Sequence, residues 1–326
     1  RRQSAAFDLR IDCPQCIRVG ENLDWASKSS DPLKTMVPVS LFLFLVLELS
    51  SYTALAHFWL EASWPIAGFA ALGAMLGVRA GIVAVTWAFS SVYASPAPKL
   101  TFGQYWQMVF AEYLAFLFSF VVLTPFEWIW MSADRLRPCK TPILLVHGYG
   151  CSRAIWWKIR RELEAAGYTV ATVSLTPPYT SVGKLVPQLA QRIDEVCAAC
   201  DAQQVILIAH SMGGLVSRSY IARHGIAQVE RLITFASPHQ GSELARLGFG
   251  QNAREMEPDS FWLNDLAHEA VKVPFVSIRT AHDNYVMPQD NQRLPEAKDV
   301  ELTAMGHLAA LYSSRTTSVL LNCISH

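Results

Sequence analysis

Val205-Ile206-Leu207-Ile208-Ala209-His210-Ser211-Met212-Gly213-Gly214 is an apolar run, then a small-residue turn around one serine. An amphipathic stretch follows from Leu215 to His224. Read as strand, sharp turn and helix, the segment lifts Ser211 out of the chain as a nucleophile would have to be lifted. Such a turn is strained, and the residues two before and two after the serine must be small; Ala209 and Gly213 meet that need. The helix that begins just past Ser211 aims its free N–H groups and positive dipole end at the reacting centre. The unremarkable alternative is a turn serine ahead of a buried helix.

A serine nucleophile needs a base, a carboxylate to orient that base, and N–H donors for the oxyanion. On a strand–serine–helix unit the partners follow in the order serine, acid, histidine. The run Val273-Pro274-Phe275-Val276-Ser277-Ile278 leads into a loop with Asp283, and Asp299-Val300-Glu301-Leu302-Thr303 leads to His307. Both candidates therefore follow a strand, at the carboxyl edge where sites of α/β sheets collect. Asp259 and Asp265 compete for the acid's role, but neither follows an apolar strand. His307 also has a plainer reading, a surface histidine at the start of a closing helix Leu308–Leu321. Pro142-Ile143-Leu144-Leu145-Val146 reads as an earlier strand ending in His147-Gly148-Tyr149-Gly150. The N–H groups of Tyr149 and Met212 are the expected oxyanion donors, with Gly148 and Gly150 letting the loop bend.

From about Thr141 onward the chain resembles an α/β-hydrolase of the bacterial triacylglycerol lipase type. The resemblance is carried by His147-Gly148-Tyr149-Gly150, Ala209-His210-Ser211-Met212-Gly213-Gly214, Ser237-Pro238-His239-Gln240-Gly241-Ser242, Asp283 with Val286 and Pro288, and Gly306-His307. It implies a Ser211–Asp283–His307 triad, no cofactor, and hydrolysis of carboxylic esters, with a lipid or other hydrophobic ester as substrate. His239, His147 and His210 are expected to hold loops. Further helical runs, Ile155–Ala166 and Val182–Ala199, alternate with strands, so residues 142–326 should form a mostly parallel, doubly wound sheet.

Residues 242–272 read either as one packed helical excursion or as a small cap over an acyl pocket. On the second reading Trp156, Phe249, Phe261 and Trp262 are substrate-binding residues, and Tyr149 and Trp157 add apolar wall. No His, Cys or carboxylate group has zinc spacing with a matching second half, so no metal is expected. Cys13-Pro14-Gln15-Cys16 and Cys197-Ala198-Ala199-Cys200 are C-x-x-C pairs, the second better explained as helix packing.

Lys and Arg total 27, as do Asp and Glu, with no basic stripe, which excludes a nucleic-acid binder; a protein partner stays unknown. Only 17% of residues are charged, because three apolar stretches dilute the average. These are Val37–Leu60, Trp64–Tyr93 and Met108–Met131, each as long as the roughly 20 residues a bilayer requires of a helix. They lack the polar face a soluble bundle would show, so residues 37–131 read as an all-helical transmembrane region, and the membrane is a partner. Glu48, Arg79 and Glu112 inside the spans should lock the helices together; the alternative for Arg79 is a hairpin tip that splits the second stretch in two. Residues 132–141 read as a linker.

Residues 1–36 read as an N-terminal tail, with 1–35 in part a tag or an over-read start. Lys28 and Lys34 before the spans and Arg135, Arg137 and Lys140 after them leave the side of the catalytic domain open. The expected location is integral and multi-pass, in a bacterial inner membrane. An acyltransferase on the same triad, or a transport or scaffold protein with an idle hydrolase domain, remain the alternatives.

Overall fold

A computed structural model describes residues 35–325. The N-terminal tail, with Cys13, Cys16, Lys28 and Lys34, lies outside the described residues. Helices α1 (Met36–Trp59), α2 (Trp64–Val92) and α3 (Phe102–Leu117) come first; α3 continues as a π-helical turn, Phe118–Leu123, and a short α4 (Glu127–Trp130) follows. Pro65 in the first turn of α2 and a capping box between Thr101 and Gln104 at the start of α3 set two of the boundaries. Three helical stretches, Met36–Trp59, Trp64–Val92 and Phe102–Leu123, are long and apolar enough to cross a membrane.

Arg79 does not mark a hairpin tip. α2 runs unbroken through it, and its guanidinium pairs with Glu48 of α1 where both side chains are buried. Each charge thereby meets its opposite out of water, which is what makes the burial tolerable. Glu112 takes no part in that pair and belongs to a different set of contacts, described below.

The sheet is six-stranded and parallel, in the order β2-β1-β3-β4-β5-β6. Its strands are β1 (Ile143–Val146), β2 (Val170–Thr172), β3 (Val205–His210), β4 (Val229–Phe235), β5 (Phe275–Thr280) and β6 (Lys298–Leu302). On one face α6 (Val182–Cys200) and α7 (Met212–His224) bury Leu185, Leu189, Ile193, Leu215 and Val216. On the other, α5 (Trp157–Ala165) and α10 (Ser314–Ser325) bury Ile159, Leu163 and Leu320, and Ala115 of α3 joins the same cluster. Helices on both faces of a parallel sheet make this a doubly wound α/β fold preceded by a helical region.

The closing helix begins later than its sequence pattern predicts. A tight 3-10 turn, Ala309–Tyr312, intervenes, Ser313 becomes extended, and its side chain accepts the Arg315 N–H at 3.2 Å to start α10. Residues 132–141 are not slack either. Asp134 in this segment meets Arg153, Arg160 and Arg192 and accepts the Thr172 N–H at 2.8 Å. Between β4 and β5 the excursion forms a turn at Glu243–Leu247 and two short helices, α8 (Gln251–Glu255) and α9 (Phe261–Ala267). Met256, Leu263 and Leu266 bury it against the α6/α7 side of the core.

Candidate active site

Strand register decides which loops meet. β1 and β3 pair Val146 with Ala209, so the residues that follow, Gly148 and Ser211, come side by side. β4 carries Phe235 opposite both His210 and Ile278, and β5 carries Thr280 opposite Leu302. The loops after β1, β3, β5 and β6 therefore leave one edge of the sheet together. Since β2 and β3 lie on opposite sides of β1, that edge is also where strand order reverses, the position at which ligands of α/β sheets collect.

Ser211 occupies the point of the turn between β3 and α7, with φ 56° and ψ −130°. That conformation is costly for a residue with a side chain and is held by the bonds around it. The Ser211 N–H donates to Phe235 O at 3.1 Å, and the Gly214 N–H returns to Ser211 O at 3.0 Å. The N–H of Met212, first residue of α7, has no intrahelical acceptor by position. The Met212 sulfur accepts from Asn252 at 3.3 Å, tying α7 to α8.

Asp283 is fully buried and saturated with donors. The N–H groups of Tyr285 and Val286 donate to Oδ1 at 2.7 and 2.8 Å, and the Thr280 hydroxyl donates to Oδ2 at 2.6 Å. His307 Nδ1 lies 2.9 Å from Oδ2. A carboxylate can only accept, so Nδ1 carries the proton and Nε2 keeps its lone pair. The Tyr285 ring stacks on the imidazole, with centroids 4.9 Å apart, and the His210 ring lies 4.6 Å away on its own side. Ser242 supports the acid's loop, donating to Tyr285 O at 2.6 Å and accepting the Met287 N–H at 3.2 Å.

The other histidines are built into loops. His147 Nε2 accepts the Leu175 N–H at 3.0 Å and Nδ1 donates to its neighbour, Gly148 O, at 2.9 Å; burial pushes its pKa down to about 4. His239 meets the Thr234 hydroxyl at 2.9 Å. Burial also holds His239 and His210 well below the ordinary histidine range. Cys151, buried nearby, is pushed up to about 12 by desolvation, which leaves it no thiolate to offer.

The expected pocket residues separate. Trp156 is not a cleft wall: it ends the 3-10 turn that tucks Arg153–Trp156 against the sheet, and it is fully buried with its ring edge-on to Phe235 at 5.7 Å. Trp262 packs half-buried on the core. Phe261 is 88% exposed on α9. Phe249 is 78% exposed, but its backbone is held at the site's margin: its N–H donates to the Tyr149 hydroxyl at 2.9 Å, which donates back to Phe249 O at 2.8 Å. A cavity of 620 Å³ lies between α3 and the segment carrying His307, walled by Met108, Leu114, Phe118, Met305 and Tyr312.

Sequence reasoning did not anticipate that the apolar helices reach this edge. Asn284 Oδ1 accepts the His307 N–H at 3.1 Å, and its amide donates to Thr86 of α2 at 2.8 Å. Ser90 of α2 donates to Asp283 O at 2.8 Å, and Gln289 joins the same pair at 2.9 Å to each. Glu112 of α3 accepts from the backbone of Leu308 and Ala309. The available signal was polarity itself: these are polar residues in stretches otherwise fit for lipid.

Residues 183–319 match the family described as PGAP1-like alpha/beta domain. Triacylglycerol lipases of Burkholderia plantarii and Pseudarthrobacter phenanthrenivorans are each 32% identical over 136 and 134 residues. Each alignment takes in 39% of this chain, and the chain spans 37% and 41% of those proteins' own lengths. Among solved structures, the mature form of a Bacillus licheniformis lipase superposes with a TM-score of 0.52 at 20% identity, covering 59% of this chain and 95% of that one. Aspergillus fumigatus lipase B gives 0.53 at 16%, covering 57% and 52%. At such identities the structural likeness speaks for the α/β-hydrolase fold.

Proposed function

We propose that this chain is a membrane-anchored serine hydrolase that cleaves carboxylic esters of lipids through an acyl-enzyme on Ser211. The observation that carries the reading is the strained serine turn at the head of α7, on the same sheet edge as a histidine locked by Nδ1 to a buried carboxylate. The triacylglycerol lipases at 32% identity are consistent with it.

The chemistry follows from those positions. His307 Nε2 takes the proton of the Ser211 hydroxyl as Oγ attacks the ester carbonyl carbon, and Asp283 stabilises the imidazolium that forms. The N–H groups of Tyr149 and Met212 receive the oxyanion. The tetrahedral centre collapses, the bond to the alcohol oxygen breaks, and the histidine returns its proton to the leaving alcohol. Water then attacks the acyl-serine carbonyl, giving its proton to the same nitrogen, and the carboxylic acid departs as Ser211 is reprotonated.

A lipid substrate is supported by the surface of the helices. Leu43, Phe44, Leu47, Phe58, Trp59 and Phe69 all stand exposed on α1 and α2, an apolar area too large for water alone. With that surface in a bilayer, the site would sit where lipid esters partition.

Detergent-purified protein should hydrolyse nitrophenyl esters of medium or long acyl chains, with Ser211→Ala inactive and an active-site-directed phosphonate labelling Ser211. Activity that declines steadily with chain length would move the substrate to soluble esters. Folded protein with neither hydrolysis nor label would overturn the hydrolase reading.

A further inference from the structure

Glu112 is an acid in the middle of an apolar helix, and it is completely buried. Burying a carboxylate is expensive unless hydrogen bonds replace its water. Here the replacements come from one place. Oε1 accepts the Leu308 N–H at 2.9 Å, and Oε2 accepts from Leu308 at 3.1 Å and Ala309 at 2.8 Å. The residue on the other side of His307 is shaped to the same group: a Cβ on Gly306 would stand 2.5 Å from Oε2. One carboxylate thus holds the chain immediately after the histidine and packs closely against the residue immediately before it.

We propose that Glu112 is the positioning residue for His307, so that α3 is a working part of the active site as well as a candidate anchor. The proposal rests on the hydrolase reading above. Asp283 fixes the imidazole's tautomer and one ring direction, and Asn284 holds the His307 N–H. Neither sets how far the Gly306–Ala309 turn stands from the sheet edge; Glu112 does. A displacement of about 1 Å at a reacting group can cost on the order of 100-fold in rate, so the setting of this turn is a kinetic quantity. The π-helical continuation of α3 makes a second polar tie to the domain, between Ser119 and the Tyr312 hydroxyl at 2.6 Å, at the far end of the next turn and with no bond to Gly306, His307, Leu308 or Ala309. The two contacts separate positioning from docking.

The test uses the full chain in detergent, with nitrophenyl ester kinetics and thermal unfolding measured side by side. Glu112→Gln keeps shape but puts an amide N–H against backbone donors. It should lower kcat roughly 10- to 100-fold with KM changed less than about threefold, and slow phosphonate labelling of Ser211 in proportion. Ser119→Ala should lower the unfolding midpoint and leave kcat at the wild-type value. Gly306→Ala presses on the same contact from the opposite side and stands in should Glu112→Gln not fold. Its kcat should fall likewise, and combining the two should cost less than the product of their separate effects.

Wild-type kcat in folded Glu112→Gln, or in Gly306→Ala, would overturn the proposal. So would a Ser119→Ala protein whose kcat falls as far, since α3 would then matter only as packing. An unlabelled, inactive wild type would instead overturn the hydrolase reading, and this proposal with it.

Discussion

A methyl group placed on Gly148 would lie 2.8 Å from the Cβ of Ser211 and 3.3 Å from its Oγ. The β1–β3 register makes that approach unavoidable, because both residues are two positions past the paired Val146 and Ala209. Gly148→Ala must therefore push the serine turn or the His147–Gly150 loop away. The expected result is a kcat reduced about 100-fold or more, the scale for losing an oxyanion donor. Ester hydrolysis and circular dichroism, measured together, check it; an active Gly148→Ala enzyme would refute the placement of the loop.

Asp283→Asn should be worse than its size suggests. The carboxylate accepts four different donors, including His307 Nδ1. An amide in its place must turn an N–H toward donors or toward the imidazole, which would then adopt the other tautomer and lose its basic Nε2. A fall in kcat of roughly 10⁴-fold is expected, with activity recovering in part at high pH. Steady-state kinetics against pH would show it.

His147 makes the folded protein sensitive to mild acid. Its pKa is about 4 in the folded chain, against an ordinary 6.5 when unfolded. Above pH 6.5 both states are neutral and the full stability is present. As pH falls toward 4 the unfolded chain takes a proton that the folded one refuses, so stability is lost across that window and levels off below it. The shift corresponds to about 3 kcal/mol at most. His210 and His239 are displaced in the same direction and add to the loss. Denaturant titrations from pH 7.5 to 4.5 should show it, with a shallower slope for His147→Gln; equal slopes would contradict the assignment.

Trp156 offers a test of where the substrate does not go. With its ring buried against Phe235, Trp156→Ala should destabilise the fold by about 3–5 kcal/mol. KM for long-chain esters should stay unchanged at temperatures where the variant is folded. A selective rise in KM without loss of stability would return Trp156 to the pocket.

Much of the sheet and its edge could be read from the chain alone. Ser211 and Asp283 follow strands that are largely apolar, Val205–His210 and Phe275–Thr280, while His307 follows one in which only Val300 and Leu302 are apolar, and their loops are marked by small or turn-forming residues. That information is local. β2 is only Val170–Thr172, too short to show a period. Trp156 stands just ahead of the amphipathic helix α5, and a pattern cannot say whether that entry turn faces sheet or cleft. The contacts of Thr86, Ser90 and Glu112 were beyond reach for another reason. Their partners, Asn284, Asp283 and Leu308, stand more than 190 residues away, and no periodicity records such a distance.

The bond from Leu308 to Glu112 joins residues 196 positions apart, and it orders events during synthesis. α3 leaves the ribosome with its acid unpaired, and its acceptors wait while the whole sheet is made. At about 5–20 residues per second, that interval is roughly 10–40 s. Through it the growing chain carries Ser211 without the histidine's turn, so on the proposed mechanism the nascent chain is idle. The stretch that satisfies the helix emerges only after the sheet's six strands, and competence waits for it.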